Sequence, residues 1–262
     1  MTSYVRGAAF AMVLFSIFAA SADAADREKL LTEPGVFATF AVFKIDDDWW
    51  KQDKAVREAG VAPVKAVFQR HADKVAADTF LLRGLSDGAD LMIRLHAAEM
   101  VHNQDLLLDL MATPFGRYLT NTSVFNGITK PANYVPRFPD ELKAGLKAPV
   151  EPGAKPYAIV IPIRKDAEWW LLDQQARTML MQEHTQASLP YLNTVKRKLY
   201  HSSGLDDFDF ITYFETARLD DFNNLIIALE SVKENRHNKR FGMPTLLGTI
   251  RPLEEILGMV TR

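Results

Sequence analysis

Cysteine is absent from the 262 residues. That excludes thiolate nucleophiles, iron–sulfur clusters, thiolate-bound zinc and any disulfide staple. Charge of one sign is missing too: 31 Lys and Arg stand against 33 Asp and Glu, a net charge of −2. Such a chain carries no electrostatic footprint for nucleic acid or an anionic membrane. Long apolar runs are missing except at the start. There "MTSYVRGAAFAMVLFSIFAASADA" places Arg6 before an apolar run from about Gly7 to Ala20 and ends in Ala22-Asp23-Ala24, a small-x-small cleavage site. The run is on the short side for a membrane span, and the pattern is that of a secretory signal peptide over residues 1–24. The mature chain is expected to begin near Ala25, in the periplasm, with no membrane segment after signal removal. Without disulfides it must be held by its core. Tryptophan is scarce as well: four in all.

Those four tryptophans come in two pairs with one context, "KIDDDWW" at 44–50 and "RKDAEWW" at 164–170. Trp49 and Trp169 are 120 residues apart, and the offset extends backwards, laying "FATFAVFKIDDDWW" (37–50) over "YAIVIPIRKDAEWW" (157–170). Downstream, "RGLSDGADLMI" resembles "SGLDDFDFI", with Gly84 and Gly204 again 120 apart. "LLLDL" (106–110) resembles "LIIAL" (225–229) at an offset of 119. Three matches in order at nearly one offset indicate an internal duplication. Each copy predicts a strand (36–45; 157–165), a helix opened by acidic residues, and two strands joined by a Gly/Asp turn (75–83 and 88–96; 194–202 and 208–216). A second helix (about 100–112; 219–238) and a short last strand (near 122–128; 244–250) follow. This β-α-β-β-α-β order is the ferredoxin-like unit. The expected fold class is therefore α+β: two ferredoxin-like repeats, 25–130 and 157–262, each a four-stranded antiparallel sheet with helices on its outer face. The stretch 131–156, rich in Pro, Lys and Gly, reads as the linker.

The two copies differ in one direction. Lys165 aligns with Tyr157, Ile159, Ile161 and Ile163 on one strand face, where the first copy has Ile45. A buried ammonium needs a partner; a lysine at a strand end can instead reach water. Arg197 shares a face with Val195, Leu199 and His201, with Lys196 and Lys198 expected on the outward side; its counterpart is Ala77. An inward arginine is either a structural ion-pair member or an anion-binding guanidinium. His184, expected near the end of the helix that Trp169 and Trp170 begin, stands where the first copy has Val64. A lone histidine makes a poor zinc site but suffices for haem iron, which the porphyrin already holds four-fold. Glu234, expected on helix 219–238, replaces Phe115. Such a carboxylate can accept the other ring N–H of an iron-bound histidine. Four apolar positions have become polar, so only the second copy is expected to carry a site.

"KDAEWW", "QEHTQA" and "TVKRKLYHS" occur in this order, and over about 25–262 the sequence resembles the chlorite dismutases, most closely their longer-subunit form. The resemblance implies one haem b per subunit, a homopentamer, and decomposition of chlorite to chloride and dioxygen. It implies that His184 is the proximal iron ligand and Arg197 the distal catalytic arginine. Lys165 and Glu234 would be proximal hydrogen-bond partners, and Trp169, Trp170 and Tyr134 would lie around the haem periphery. On one continuous helix Trp170 would sit about 21 Å from His184, which leaves its role the weakest of these. An arginine suits retention of a hypochlorite intermediate, since it stays cationic and offers several N–H donors. Alternatives are a coproheme decarboxylase or another haem peroxidase of the same fold, or a haem-free ferredoxin-like binding module.

Overall fold

A computed structural model describes residues 24–131 and 156–262. The expected signal peptide up to Asp23, residues 132–155 of the expected linker, and Tyr134 among them lie outside the described residues. The first repeat contains α1 (Arg27–Thr32), β1 (Phe37–Ile45), α2 (Asp47–Trp50), α3 (Lys54–Arg70), β2 (Val75–Leu81), β3 (Leu91–Ala97), α4 (Met100–Ala112) and β4 (Leu119–Ile128). The second contains β5 (Tyr157–Lys165), α5 (Ala167–Leu171), α6 (Gln174–Ser188), β6 (Val195–His201), β7 (Phe210–Thr216) and α7 (Leu219–Glu230). It then adds a short β8 (Asn238–Phe241) before β9 (Leu246–Ile250), and ends in α8 (Leu253–Val260).

The two sheets do not stay apart. The strand order is β7-β6-β4-β1-β3-β2-β9-β5, and β5 pairs back onto β7, so eight strands close a ring. The seams are narrow: Ile128 opposite His201 on one side, Phe80 opposite Ile250 and Leu81 opposite Thr249 on the other. A ferredoxin-like sheet leaves two strand edges with unpaired backbone groups. Joining edge to edge satisfies them and removes both edges.

Strand alternation then sorts side chains into a lumen and an outer layer. Ala38, Phe40, Val42, Val160, Tyr200 and Ile211 fill the lumen. Outside the first repeat, Phe43, Ile45, Val64, Leu95 and Phe115 pack with Ile256 and Val260 of α8. Outside the second, the fully buried cluster is smaller: Ile159, Ile161, Val195, Phe214 and Leu225. The duplication persists at atomic detail. Ile45 N donates to Asp90 Oδ2 and Lys165 N to Asp209 Oδ2, both at 2.8 Å. Asp46 N reaches Tyr118 O at 2.8 Å, and Asp166 N reaches His237 O at 2.9 Å.

Candidate functional site

Two expected elements are differently built. The segment after Lys165 is two helices, because it carries two start signals. Asp166 accepts from Trp169 N at 2.8 Å and caps α5, and Asp173 accepts from Ala176 N at 2.7 Å and caps α6. Trp170 and His184 therefore sit on separate helices, and a straight-helix distance between them does not apply. The helix expected over 219–238 ends at Glu230, and Glu234 lies on the 3-10 turn Lys233–His237 that follows. Lys198 is not turned to solvent. It shares the lumen side of β6 with Tyr200 and donates to Leu31 O of α1, and burial lowers its pKa to about 7.

Four of the expected residues, Glu234, Lys165, His184 and Trp169, form one connected cluster. Glu234, 5% exposed, divides its carboxylate: Oε1 pairs with Lys165 Nζ, and Oε2 lies 3.1 Å from His184 Nδ1. Lys165 also donates to Asn238 Oδ1 at 2.7 Å and stands 4.3 Å from the Trp169 ring centroid. The lysine thus has the partner that its apolar row demanded. Burial still lowers its pKa, to about 8. Burial also lowers the pKa of His184, to about 4, and the charges of Arg197 and Lys165 act in the same direction. The imidazole is therefore neutral near pH 7. With a carboxylate facing Nδ1, that nitrogen carries the proton and Nε2 keeps its lone pair.

Arg197 stands on the outer face of β6, with α6 against the same repeat. Its Nη2 makes one long bond, 3.5 Å, to Ser188 O, and no carboxylate pairs with it among the described residues. Burial brings its pKa down to about 10, so it remains a cation at neutral pH. Trp169 is 6% exposed and belongs to the cluster; Trp170 is 46% exposed and stacks on Phe210 with centroids 6.2 Å apart.

The first repeat shows what such a position holds when no site is needed. Ile45, Val64 and Phe115 are buried together, Ala77 packs beside them, and α8 covers them. Trp49 Nε1 donates to Val260 O of that helix at 2.8 Å. The second repeat has no such cover among its described residues. On α6 only Ser188 is fully buried, and Leu180, Met181 and His184 remain partly exposed. These partly exposed residues of α6, with Arg197 on the outer face of β6, form the candidate cofactor surface.

Three residues of the cluster escaped the repeat comparison. Continuing the offset of 119 past Glu234 pairs Asn235 with Gly116, His237 with Tyr118 and Asn238 with Leu119. His237 Nδ1 lies 3.1 Å from Asp166 Oδ1, and its ring packs at 5.8 Å on Trp169, as Tyr118 packs at 5.3 Å on Trp49.

The chlorite dismutase family model matches residues 57–251. The chain is 45% identical over 235 residues to chlorite dismutase of Ideonella dechloratans, covering 88% of this chain and 82% of that protein. It is 26% identical to coproheme decarboxylase of Mycolicibacterium smegmatis, over 78% of this chain and 85% of that protein. The structure of chlorite dismutase from Candidatus Nitrospira defluvii in complex with imidazole superposes with a TM-score of 0.86 at 58% identity, covering 91% of this chain and all of that one. The chain belongs to the chlorite dismutase family, enzymes that decompose chlorite.

Proposed function

We propose that this enzyme converts chlorite to chloride and dioxygen on haem b, with His184 as axial ligand to the iron and Arg197 as the group that holds the anions. One observation carries the reading: a neutral imidazole, tied at Nδ1 to a buried carboxylate and spare at Nε2, lies within electrostatic reach of a guanidinium that has no described carboxylate partner. The donor chemistry fits haem. Among the described residues no group of three or more His, Asp or Glu could hold a bare metal ion. A metal at His184 would have to arrive with its other donors, as in a porphyrin. The imidazole complex of the Candidatus Nitrospira defluvii relative supports the same reading, imidazole being a ligand of haem iron.

Bound haem would supply an open coordination position for a chlorite oxygen and the redox couple for breaking its bond to chlorine. The chain's own groups do the rest. Glu234 accepts a hydrogen bond from Nδ1–H and gives the imidazole anionic character at Nε2. Lys165 balances the charge of Glu234. Arg197 binds chlorite and keeps the cleaved hypochlorite beside the site until the two oxygens join. The conversion of chlorite to chloride and dioxygen takes up no net protons or electrons. The site therefore needs a permanent cation more than a proton shuttle, and an arginine near pKa 10 serves over the working range. The lower identity to coproheme decarboxylase, 26% against 45% to chlorite dismutase, favours the same chemistry.

Trp169, Trp170 and Tyr134 complete the proposed haem periphery. We further propose export to the periplasm with cleavage near Ala24/Ala25, two repeats joined by a linker over 131–156, and assembly as a homopentamer. Ala25 N donates to Ala72 O at 2.6 Å, so residues directly after the proposed cleavage point take part in the fold. No described helix is long and apolar enough to cross a membrane.

The test is an absorption spectrum followed by an oxygen-electrode trace with chlorite. A Soret band and oxygen release are expected. Folded protein that takes up no haem would favour a haem-free binding module. His184→Ala should give folded, largely haem-free protein; full haem occupancy with an unchanged ferric spectrum rejects the ligand assignment.

A further inference from the structure

We propose that Asn238 is a positioning residue, which holds the Lys165 ammonium on one oxygen of Glu234 and thereby keeps the other oxygen for His184. The inference rests on the reading of His184 as the haem ligand.

Asn238 opens β8 directly opposite Lys165, at the one irregularity in the β5–β8 pairing. Its amide has a fixed orientation. Nδ2 donates to Asn235 Oδ1 at 3.0 Å, and Asn235 Nδ2 donates to Glu230 O at 3.1 Å at the end of α7. Oδ1 is thus left for the lysine, 2.7 Å from Nζ. The backbone of Lys165 is fixed as well, by Asp209. So the ammonium is held between Glu234 Oε1, Asn238 Oδ1 and the face of Trp169. The first repeat has the same cross-strand pair in apolar form, Ile45 opposite Leu119. Both members became polar in the repeat that carries the site. A loop asparagine with no part in the site would not need to change together with the lysine.

Lys165 and His184 draw on one carboxylate. While Asn238 shares the ammonium, the lysine stays on Oε1 and Oε2 accepts from the imidazole. Without that oxygen the ammonium is free to bridge both carboxylate oxygens and compete with His184 Nδ1–H. The imidazole then becomes less anionic, stabilises ferric iron less, and the reduction potential rises.

The experiment compares wild type, Asn238→Leu, Asn238→Ala, Lys165→Met and the Lys165→Met/Asn238→Leu double variant. The readouts are the reduction potential of the haem-loaded proteins and the nitrogen NMR signal of His184 Nδ1 in the haem-free proteins. Asn238→Leu and Asn238→Ala should raise the potential by at least a threefold change in the ferrous-to-ferric ratio, about 28 mV at 59 mV per tenfold. Lys165→Met should lower it, and adding Asn238→Leu to Lys165→Met should change nothing further. An unmoved potential and Nδ1 signal overturn the proposal, as does an equal shift with and without the lysine. If wild type binds no haem, the ligand reading falls, and the Nδ1 signal alone still decides whether Asn238 governs the Glu234–His184 bond. Should Asn238→Leu not fold, the smaller Asn238→Ala carries the same comparison.

Discussion

Arg197 is half-buried without a described carboxylate partner, and its removal should leave the proposed haem site standing, because His184, Glu234 and Lys165 hold one another without it. Arg197→Ala is expected to keep its Soret band and still react with chlorite, yet to lose hypochlorite. The escaping oxidant would attack haem and side chains such as Trp169, Trp170 and Met181. Excess methionine, a hypochlorite trap, should therefore protect Arg197→Ala far more than wild type. Arg197→Lys should recover only part of the retention, since an ammonium cannot copy the planar donor fork. Equal protection of wild type and variant would leave Arg197 no containment role. Glu234 is proposed to act on the iron instead, through His184. Glu234→Ala should raise the reduction potential; it also strands Lys165, and breaking a buried pair this way costs about 3–5 kcal/mol. Glu234→Gln keeps an acceptor and should raise the potential with less loss of stability. A potential unmoved in both variants would reduce Glu234 to a structural partner of the lysine. These residues were legible in the sequence because duplication supplies an internal control: Ile45, Val64, Ala77 and Phe115 show what each position is without a site. The same control reads Asn238, whose counterpart at the offset of 119 is Leu119. Lys198 was misplaced for a physical reason. Period-2 alternation separates two strand faces but does not say which one meets water.

At the scale of elements, eight of the nine described strands followed from the sequence, while β8 (Asn238–Phe241) and the helix boundaries did not. In "AEWWLLDQQ" the apolar residues run across the break, while Asp173 is a second capping residue whose signal is as strong as that of Asp166. The end of α7 at Glu230 is harder to read, since "SVKENRHN" holds no glycine or proline. The least obvious element is α8. It follows the last strand of the second repeat but packs on the first, over Ile45, Val64 and Phe115. There it fills the place that corresponds to the proposed cofactor site. Its contribution should then be to stability alone. Ile256 is 3% exposed, and Ile256→Ala should cost about 2–5 kcal/mol, the usual range for such a large-to-small change in a core. Urea unfolding measures this loss. An imidazole titration of the haem-loaded protein should give wild-type affinity. A large change in that affinity would mean that α8 reaches the second repeat's site, contrary to the packing.

For the whole molecule, closing the ring traps polar groups that no single repeat would bury. One end of the lumen holds Arg94 and Asp78, which form an ion pair at 2.8 Å, with Arg27 of α1 also on Asp78. The Arg94 guanidinium lies 4.0 Å from the Tyr213 ring centroid, and Tyr200 OH lies 2.8 Å from His96 Nε2. The closure was not legible, because its seams join residues far apart in sequence, Ile128 with His201 and Phe80 with Ile250, through few pairs. It nevertheless sets a measurable property. His96 is fully buried, and burial first, then the charges of Arg94, Lys198 and Arg27, hold its pKa well below the ordinary value. The folded state keeps His96 neutral while the unfolded chain protonates it near pH 6.5. Below that pH the unfolded state binds the extra proton, so stability is complete above about pH 6.5 and falls as pH drops further. His201, which burial lowers to about 4, adds a loss of the same sign. One histidine kept neutral loses about 1.36 kcal/mol per pH unit, or roughly 2 kcal/mol between pH 6.5 and pH 5. Urea midpoints at pH 7 and pH 5 should show this loss in wild type. His96→Gln can still hydrogen-bond Tyr200 but cannot titrate, so its curve should flatten by about that amount. An unchanged slope in His96→Gln would assign the acid sensitivity to groups outside the lumen. A flattened one would assign that share of the acid sensitivity to a histidine of the closed ring, which neither repeat forms alone.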